Sequence, residues 1–248
     1  MKALINKILS PFNIEVHGKG YLKKLSKGDY DLDEFAFQCD YFKNSSVSVI
    51  FDLGANNGDI TQKYLDLFPF AKIHCFEPVD SCFSTLKSKF KGNPRVILNN
   101  FAISDEVGTS KLFINKNVDT SSLLESKEIG LGCDKNIKLI EVQEIQTTTI
   151  DHYSRLNDIS SIDILKMDIQ GGEYSAIKGA EDMLGSQKVK LLYFETYFQQ
   201  QYRQQPLLFD IGKRLFEHEY FLQDLYSKIY GNNNLVWCDA IFLPKKEN

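Results

Sequence analysis

The chain has 248 residues, of which 43% are hydrophobic and 25% charged, an ordinary globular composition with length enough for one sizeable α/β core. A formal net charge of −4, with lysines spread along the chain, argues against a nucleic-acid partner, which would need a basic stripe. The five cysteines (39, 75, 82, 133 and 238) are odd in number and lack C-x-x-C spacing, so neither a disulfide framework nor a thiolate metal site is expected, and a reducing cytoplasm fits.

Taken in chain order, residues 1 to 14 contain no apolar run long enough for a signal peptide or a membrane span. Leu4, Ile5, Ile8 and Leu9 form a stripe opposite Lys2 and Lys7, read as a helix docked on its own domain in preference to one lying on a membrane surface. Residues 1–45 are expected to form a small helical N-terminal extension and residues 46–248 the main domain, with the boundary near Asn44-Ser45-Ser46. From there short apolar runs alternate with helical periods: Val47 to Leu53, a helix begun by Ile60, Tyr64 and Leu67, Ile73 to Phe76, a helix from Ser81 to Phe90, then Val96 to Phe101. Such alternation predicts a parallel sheet with right-handed crossovers. Phe83, Leu86 and Phe90 are read as the core stripe of the second helix.

The stretch Gly108 to Asp151 breaks this rhythm, because Thr109 to Ile114 and Leu139 to Ile150 are strand-like with no amphipathic helix between them. It reads as an insertion at the ligand edge, whose polar segment Asn115 to Asn136, with Thr120-Ser121-Ser122, is either a binding loop or a solvated one. The parallel pattern resumes with Ile162 to Asp168, a helix with Ile177, Ala180 and Leu184 on one face, Val189 to Glu195, and a helix carrying Leu208, Ile211 and Leu215. Tyr220 to Leu225 and Leu235 to Leu243, joined through Gly231-Asn232-Asn233-Asn234, predict a hairpin that makes the last strand antiparallel.

The ligand is legible in the first strand–loop–helix. Gly54 and Gly58 allow a tight turn, and Glu77, about 20 residues on, ends the next strand where a carboxylate accepts both hydroxyls of a ribose. The spacing is G-x-x-x-G, not the G-x-G-x-x-G of a dinucleotide site, and no Lys-Ser or Lys-Thr follows for a triphosphate. Asp52, Ala55, Asn56 and Asn57 suit the amino and carboxylate groups of a methionine moiety, so S-adenosylmethionine is the expected cofactor. Its adenine is expected against Asn100-Phe101-Ala102 and Ser104-Asp105, at the end of the third strand.

Several ordered motifs carry a family resemblance from about residue 47 onward: Asp52-Leu53-Gly54-Ala55-Asn56-x-Gly58, Phe76-Glu77-Pro78, Thr120-Ser121-Ser122-Leu123, Leu165-Lys166-Met167-Asp168-Ile169-Gln170-Gly171-x-Glu173 and Lys178-Gly179-Ala180. Together they resemble the FkbM family of S-adenosylmethionine-dependent methyltransferases. The resemblance implies a Rossmann-like class I methyltransferase sheet. It further implies an O-methyltransferase acting on a hydroxyl of a sugar, a polysaccharide precursor or a secondary metabolite. At position 170 the family more often has Glu, and at 172 a larger residue; Gln170 cannot supply a carboxylate base. Two other classes stand beside this reading: a nucleotide-dependent oxidoreductase, opposed by the missing third glycine, and a non-catalytic cofactor-binding protein.

Asp52, Glu77, Asp168 and Glu195 are expected at strand ends around one rim. Lys166 shares strand parity with Asp168 and is read as a structural partner for Asp168 or Glu195, or as a substrate-orienting cation. Glu173 falls where a following helix begins, suited to the helix dipole, while the resemblance puts its segment at the site. Candidates for the chemistry are therefore Asp168, Glu173, Glu195 and Lys166, with a divalent cation between Asp168 and Glu195 as an option. None of His17, His74, His152 and His218 stands out as a base. Tyr193, Tyr197, Phe198 and Tyr202 either stack on a sugar ring or serve core or interface packing, and a homo-oligomer is left open.

Overall fold

The computed structural model describes residues 33–127 and 138–245. The N-terminal stripe, His17, Cys133 and part of the polar loop therefore lie outside the described residues. The chain divides into two compact units, Met1–Asp40 and Tyr41–Asn248. The described end of the first holds most of helix α1 (Glu34–Tyr41), whose N-terminus Asp33 caps by accepting the Phe35 N–H at 2.8 Å.

The second unit is built on a seven-stranded sheet. Its strands are β1 (Val49–Leu53), β2 (Lys72–Phe76), β3 (Val96–Asn99), β7 (Ile164–Met167), β8 (Leu192–Tyr197), β9 (Tyr220–Gly231) and β10 (Asn234–Pro244), in the order β3-β2-β1-β7-β8-β10-β9. All neighbours are parallel except β10, which runs antiparallel to both β8 and β9. This is the class I methyltransferase sheet. Helices cover both faces, which is why β1, β7 and β8 read as near-continuous apolar runs, with Phe51, Leu53, Leu165, Met167, Leu192 and Phe194 all at 0% exposure. Each such side chain contributes about 1.5–3 kcal/mol by leaving water. The β9–β10 turn has Asn232 at φ 49° and Asn233 at φ 64°, the doubly left-handed turn that suits a two-residue hairpin.

Helix α2 (Asp59–Leu67) buries Thr61, Tyr64 and Leu65, while Ile60 turns partly outward. Helix α3 (Asp80–Lys89) corrects the expected stripe: Cys82 and Leu86, followed by Phe90, are buried, and Phe83 is only partly so. The spacing is i, i+4, i+8 in place of the expected i, i+3, i+7.

The insertion forms a separate three-stranded sheet in the order β4-β6-β5, from β4 (Ala102–Ile103), β5 (Gly108–Asn115) and β6 (Leu139–Thr148). It leads into helix α4 (Ile150–Leu156). The helix expected through Ile177, Ala180 and Leu184 is two short ones, α5 (Glu173–Lys178) and α6 (Glu181–Gly185), although all three residues are fully buried. The break lies at Gly179, where a Cβ would come within 2.2 Å of the Ser104 carbonyl oxygen. Helix α7 (Leu208–Glu217) buries Leu208, Ile211 and Leu215 as its periodicity predicts.

Candidate functional site

In an open α/β sheet the crevice opens beyond the carboxyl ends of the strands, where the strand order reverses. Here that point lies between β1 and β7. A cavity of about 300 Å³ sits above it, with Gly54, Asn56, Glu77, Leu112, Asp168 and Gln170 in its wall.

The loop after β1 owes its shape to its two glycines. Gly54 has φ 73°, and a Cβ there would lie 1.9 Å from the Asp168 carbonyl oxygen, so only glycine lets the two strand ends approach. Gly58, at φ 79°, faces Phe90, whose ring would be 2.5 Å from a Cβ. Between them the Asn56 N–H donates to Glu77 Oε2 at 2.8 Å, and the Val79 N–H donates to Glu77 Oε1 at 2.8 Å. Burial raises the Glu77 carboxyl pKa, and these two N–H bonds oppose that shift. Both carboxylate oxygens are held at the cavity edge, each with a further lone pair to offer.

Asp52 lies elsewhere than expected. It is fully buried beneath the loop, 2.9 Å from Lys166 Nζ, and accepts the Thr61 hydroxyl at 2.6 Å. Lys166 also donates to the carbonyl oxygens of Leu53 at 3.2 Å and Gly54 at 3.0 Å, so its three N–H groups are all engaged. The pair arises because Asp52 and Lys166 face each other in the β1–β7 register. Lys166 borders the cavity, but its partner is Asp52, not Asp168 or Glu195. Both residues therefore hold the glycine loop from below.

Beyond β7 the carboxylates separate. Asp168 is exposed and borders the cavity. Glu173 is only 1% exposed and accepts the Ile169 N–H at 2.9 Å, under the Ile169–Gly172 turn; burial pushes its carboxyl up to about 7. Glu195 sits behind Gln170, outside the cavity wall. Gln170 Nε2 bridges Asp168 and Glu195, at 2.9 Å from each. That amide occupies the place of the cation considered above. Among the described residues, no group of three or more His, Cys, Asp or Glu is arranged to hold a metal ion.

The apolar wall comes from the insertion. Val79, Cys82, Ala102 and Leu112 form one buried cluster that borders the cavity. Ala102 is therefore at the wall as expected, while Asn100 is not; its amide donates to the Glu77 carbonyl oxygen at 3.0 Å and braces the Glu77-Pro78 turn. Phe101 packs on Phe76 and Tyr153, with ring centroids 5.8 and 6.1 Å away. Thr120-Ser121-Ser122 acquires a clear role: Ser122 Oγ donates to the Gln170 carbonyl oxygen at 2.7 Å, and Ser121 and Ser122 border the cavity. Asp119, which accepts from Asn56 Nδ2 at 2.8 Å, was not anticipated, because no local pattern marks a long-range partner. Of the histidines, His74 is buried against the Tyr153 hydroxyl at 2.8 Å and is lowered to about 4 by burial; His74, His152 and His218 all lie away from the cavity.

The family model of the methyltransferase FkbM domain matches residues 52–222. The chain belongs to the FkbM methyltransferase family. A curated relative, "2-O-methyltransferase NoeI" of Sinorhizobium fredii, is 27% identical over 163 residues, 63% of this chain. The match spans 66% of that relative, just under two thirds of its length. Among solved structures, this FkbM chain is similar to magnesium protoporphyrin IX methyltransferase from Synechocystis with bound SAM (9% identity, TM-score 0.46, 98% of this chain and 97% of that one). It is likewise similar to an rRNA methylase from Streptococcus thermophilus (11% identity, TM-score 0.47, 87% and 99%). Among the described residues of the FkbM chain, no helix is long and apolar enough to cross a membrane.

Proposed function

We propose that this FkbM-family chain is an S-adenosylmethionine-dependent O-methyltransferase whose acceptor is a sugar hydroxyl. The observation that carries the reading is one cavity bordered by the glycine loop, by Glu77 held on two backbone N–H groups, and by an exposed Asp168. Glu77 would receive the ribose hydroxyls, the Gly54–Asn56 backbone the methionine end, and the apolar cluster of Val79, Cys82, Ala102 and Leu112 the adenine. When bound, the cofactor supplies an electrophilic methyl group on a sulfonium.

The chain's own task is to hold an acceptor hydroxyl in line and to remove its proton. Asp168 is assigned to the proton: Oδ1 is engaged by Gln170, and Oδ2 is left for the hydroxyl. Ser121 and Ser122 border the cavity with neutral hydroxyl groups, which suit a polyol better than an anion. The 2-O-methyltransferase relative supports an oxygen acceptor.

Titration calorimetry with S-adenosylhomocysteine tests the reading, using the wild type, Glu77→Ala and NAD as competitor. Saturable binding is expected, weakened roughly 10- to 100-fold by the substitution, the range for losing hydrogen bonds to a charged group. Absence of binding, or preference for NAD, overturns it.

A further inference from the structure

We propose that Gln170 is a positioning residue: its side-chain amide ties Asp168 to Glu195 at the cavity rim, and Tyr197 and Tyr202 hold that amide in the one orientation that allows it. This rests on the assignment of Asp168 to the acceptor proton. Strands β7 and β8 are parallel neighbours, so their carboxyl ends bring Asp168 and Glu195 side by side. Glu173 adds a carboxylate from α5, and Asp239 of β10 adds another, opposite Glu195 in register. Lys166, a cation near Asp168, is already paired with Asp52.

Carboxylates so grouped need donors between them, and Gln170 supplies two: Nε2 reaches Asp168 Oδ1 and Glu195 Oε2, both at 2.9 Å. Its Oε1 faces two tyrosine hydroxyls, Tyr202 at 2.8 Å and Tyr197 at 3.2 Å, each with a single proton to give. Both ends of the amide are thereby engaged, and the carboxylates, which only accept, dictate which end is nitrogen. The Tyr202 hydroxyl also lies 3.0 Å from the Thr120 carbonyl oxygen, so its one proton is shared between that oxygen and Gln170 Oε1. The backbone is pinned as well: Gln170 has φ 53°, a conformation that a non-glycine residue keeps only where its surroundings enforce it. The Tyr197 hydroxyl also meets Glu195, whose carboxyl is pushed well above the usual range by burial and then by Asp168.

A glutamate at 170 would turn an acceptor toward two carboxylates, and it would have to take up a proton. The full-length protein with Gln170→Glu is therefore expected to melt within about 1 °C of wild type at pH 5.5. By pH 8.5 it should fall roughly 5 °C below, since stability from a carboxyl with a raised folded pKa is lost as pH rises. A gap independent of pH overturns the bridge.

Positioning is read from the ratio of S-adenosylmethionine to S-adenosylhomocysteine affinity, because only the sulfonium carries the charge that Asp168 attracts. Asp168→Asn should lower that ratio roughly threefold or more. Gln170→Leu and Tyr202→Phe should lower it in the same direction while S-adenosylhomocysteine still binds. If Asp168→Asn lowers the ratio and the other two do not, the positioning role of Gln170 fails alone. If Asp168→Asn leaves it unchanged, the assignment of Asp168 fails and takes the positioning role with it.

Discussion

Glu77 and Glu173 are two buried glutamates with different settings. Glu77 has a backbone N–H on each oxygen and borders the cavity, whereas Glu173 lies under a turn, away from it. Burial raises Glu173 to about 7, above its unfolded value near 4.5, so the folded state binds more protons between those values. The stability this proton contributes is present at low pH and lost as pH rises through about 7, amounting to about 3 kcal/mol. Urea unfolding at pH 5, 7 and 8 should show that slope in wild type and a flatter one in Glu173→Gln; equal slopes would mean that Glu173 stays ionised throughout. At this scale Glu77 was legible from spacing alone. The Asp52–Lys166 pair was not, since it depends on a cross-strand register between residues 114 positions apart.

At the level of elements, the break between α5 and α6 shows how a glycine serves two distant features. Gly179 lets the chain pass against Ser104, the residue after β4, and β4 carries Ala102 and Ile103 in the cavity wall. Gly179→Ala should therefore cost about 1–3 kcal/mol by overpacking and weaken S-adenosylhomocysteine binding through displacement of β4. Chemical denaturation beside calorimetry checks both. Gly92→Ala is the control, because a Cβ there meets nothing within 4 Å and only its φ of 77° opposes the change. Wild-type binding in Gly179→Ala would mean that β4 yields without disturbing the wall. Element types followed the periodicity well: α7 and the β9–β10 hairpin came from local signals, namely an i, i+3, i+7 stripe and an Asn-Asn turn. The split of one expected helix into two did not, because its cause is a carbonyl group from another part of the chain.

For the whole molecule, the cavity is bounded by loops after β1, β2 and β7 together with the inserted sheet, so ligand binding should stabilise the fold as a unit. With S-adenosylhomocysteine at a hundred times its Kd, the gain is about 2.7 kcal/mol, a rise in Tm of roughly 5–10 °C for a domain of this size. Differential scanning fluorimetry would record it, and no shift at saturation would mean that the ligand binds unfolded chain as well as folded. The amino-acid sequence by itself determined the parallel sheet, the antiparallel end, the glycine loop and Glu77, because these follow from side-chain periodicity and backbone freedom within a few residues. Only the tertiary structure decided which acids meet the cavity. Asp52 was drawn beneath the loop by Lys166, Glu173 beneath its turn, and Glu195 behind Gln170, while Asp168 stayed open. Burial and long-range hydrogen bonding sort these carboxylates, and neither is written in the spacing of residues along the chain.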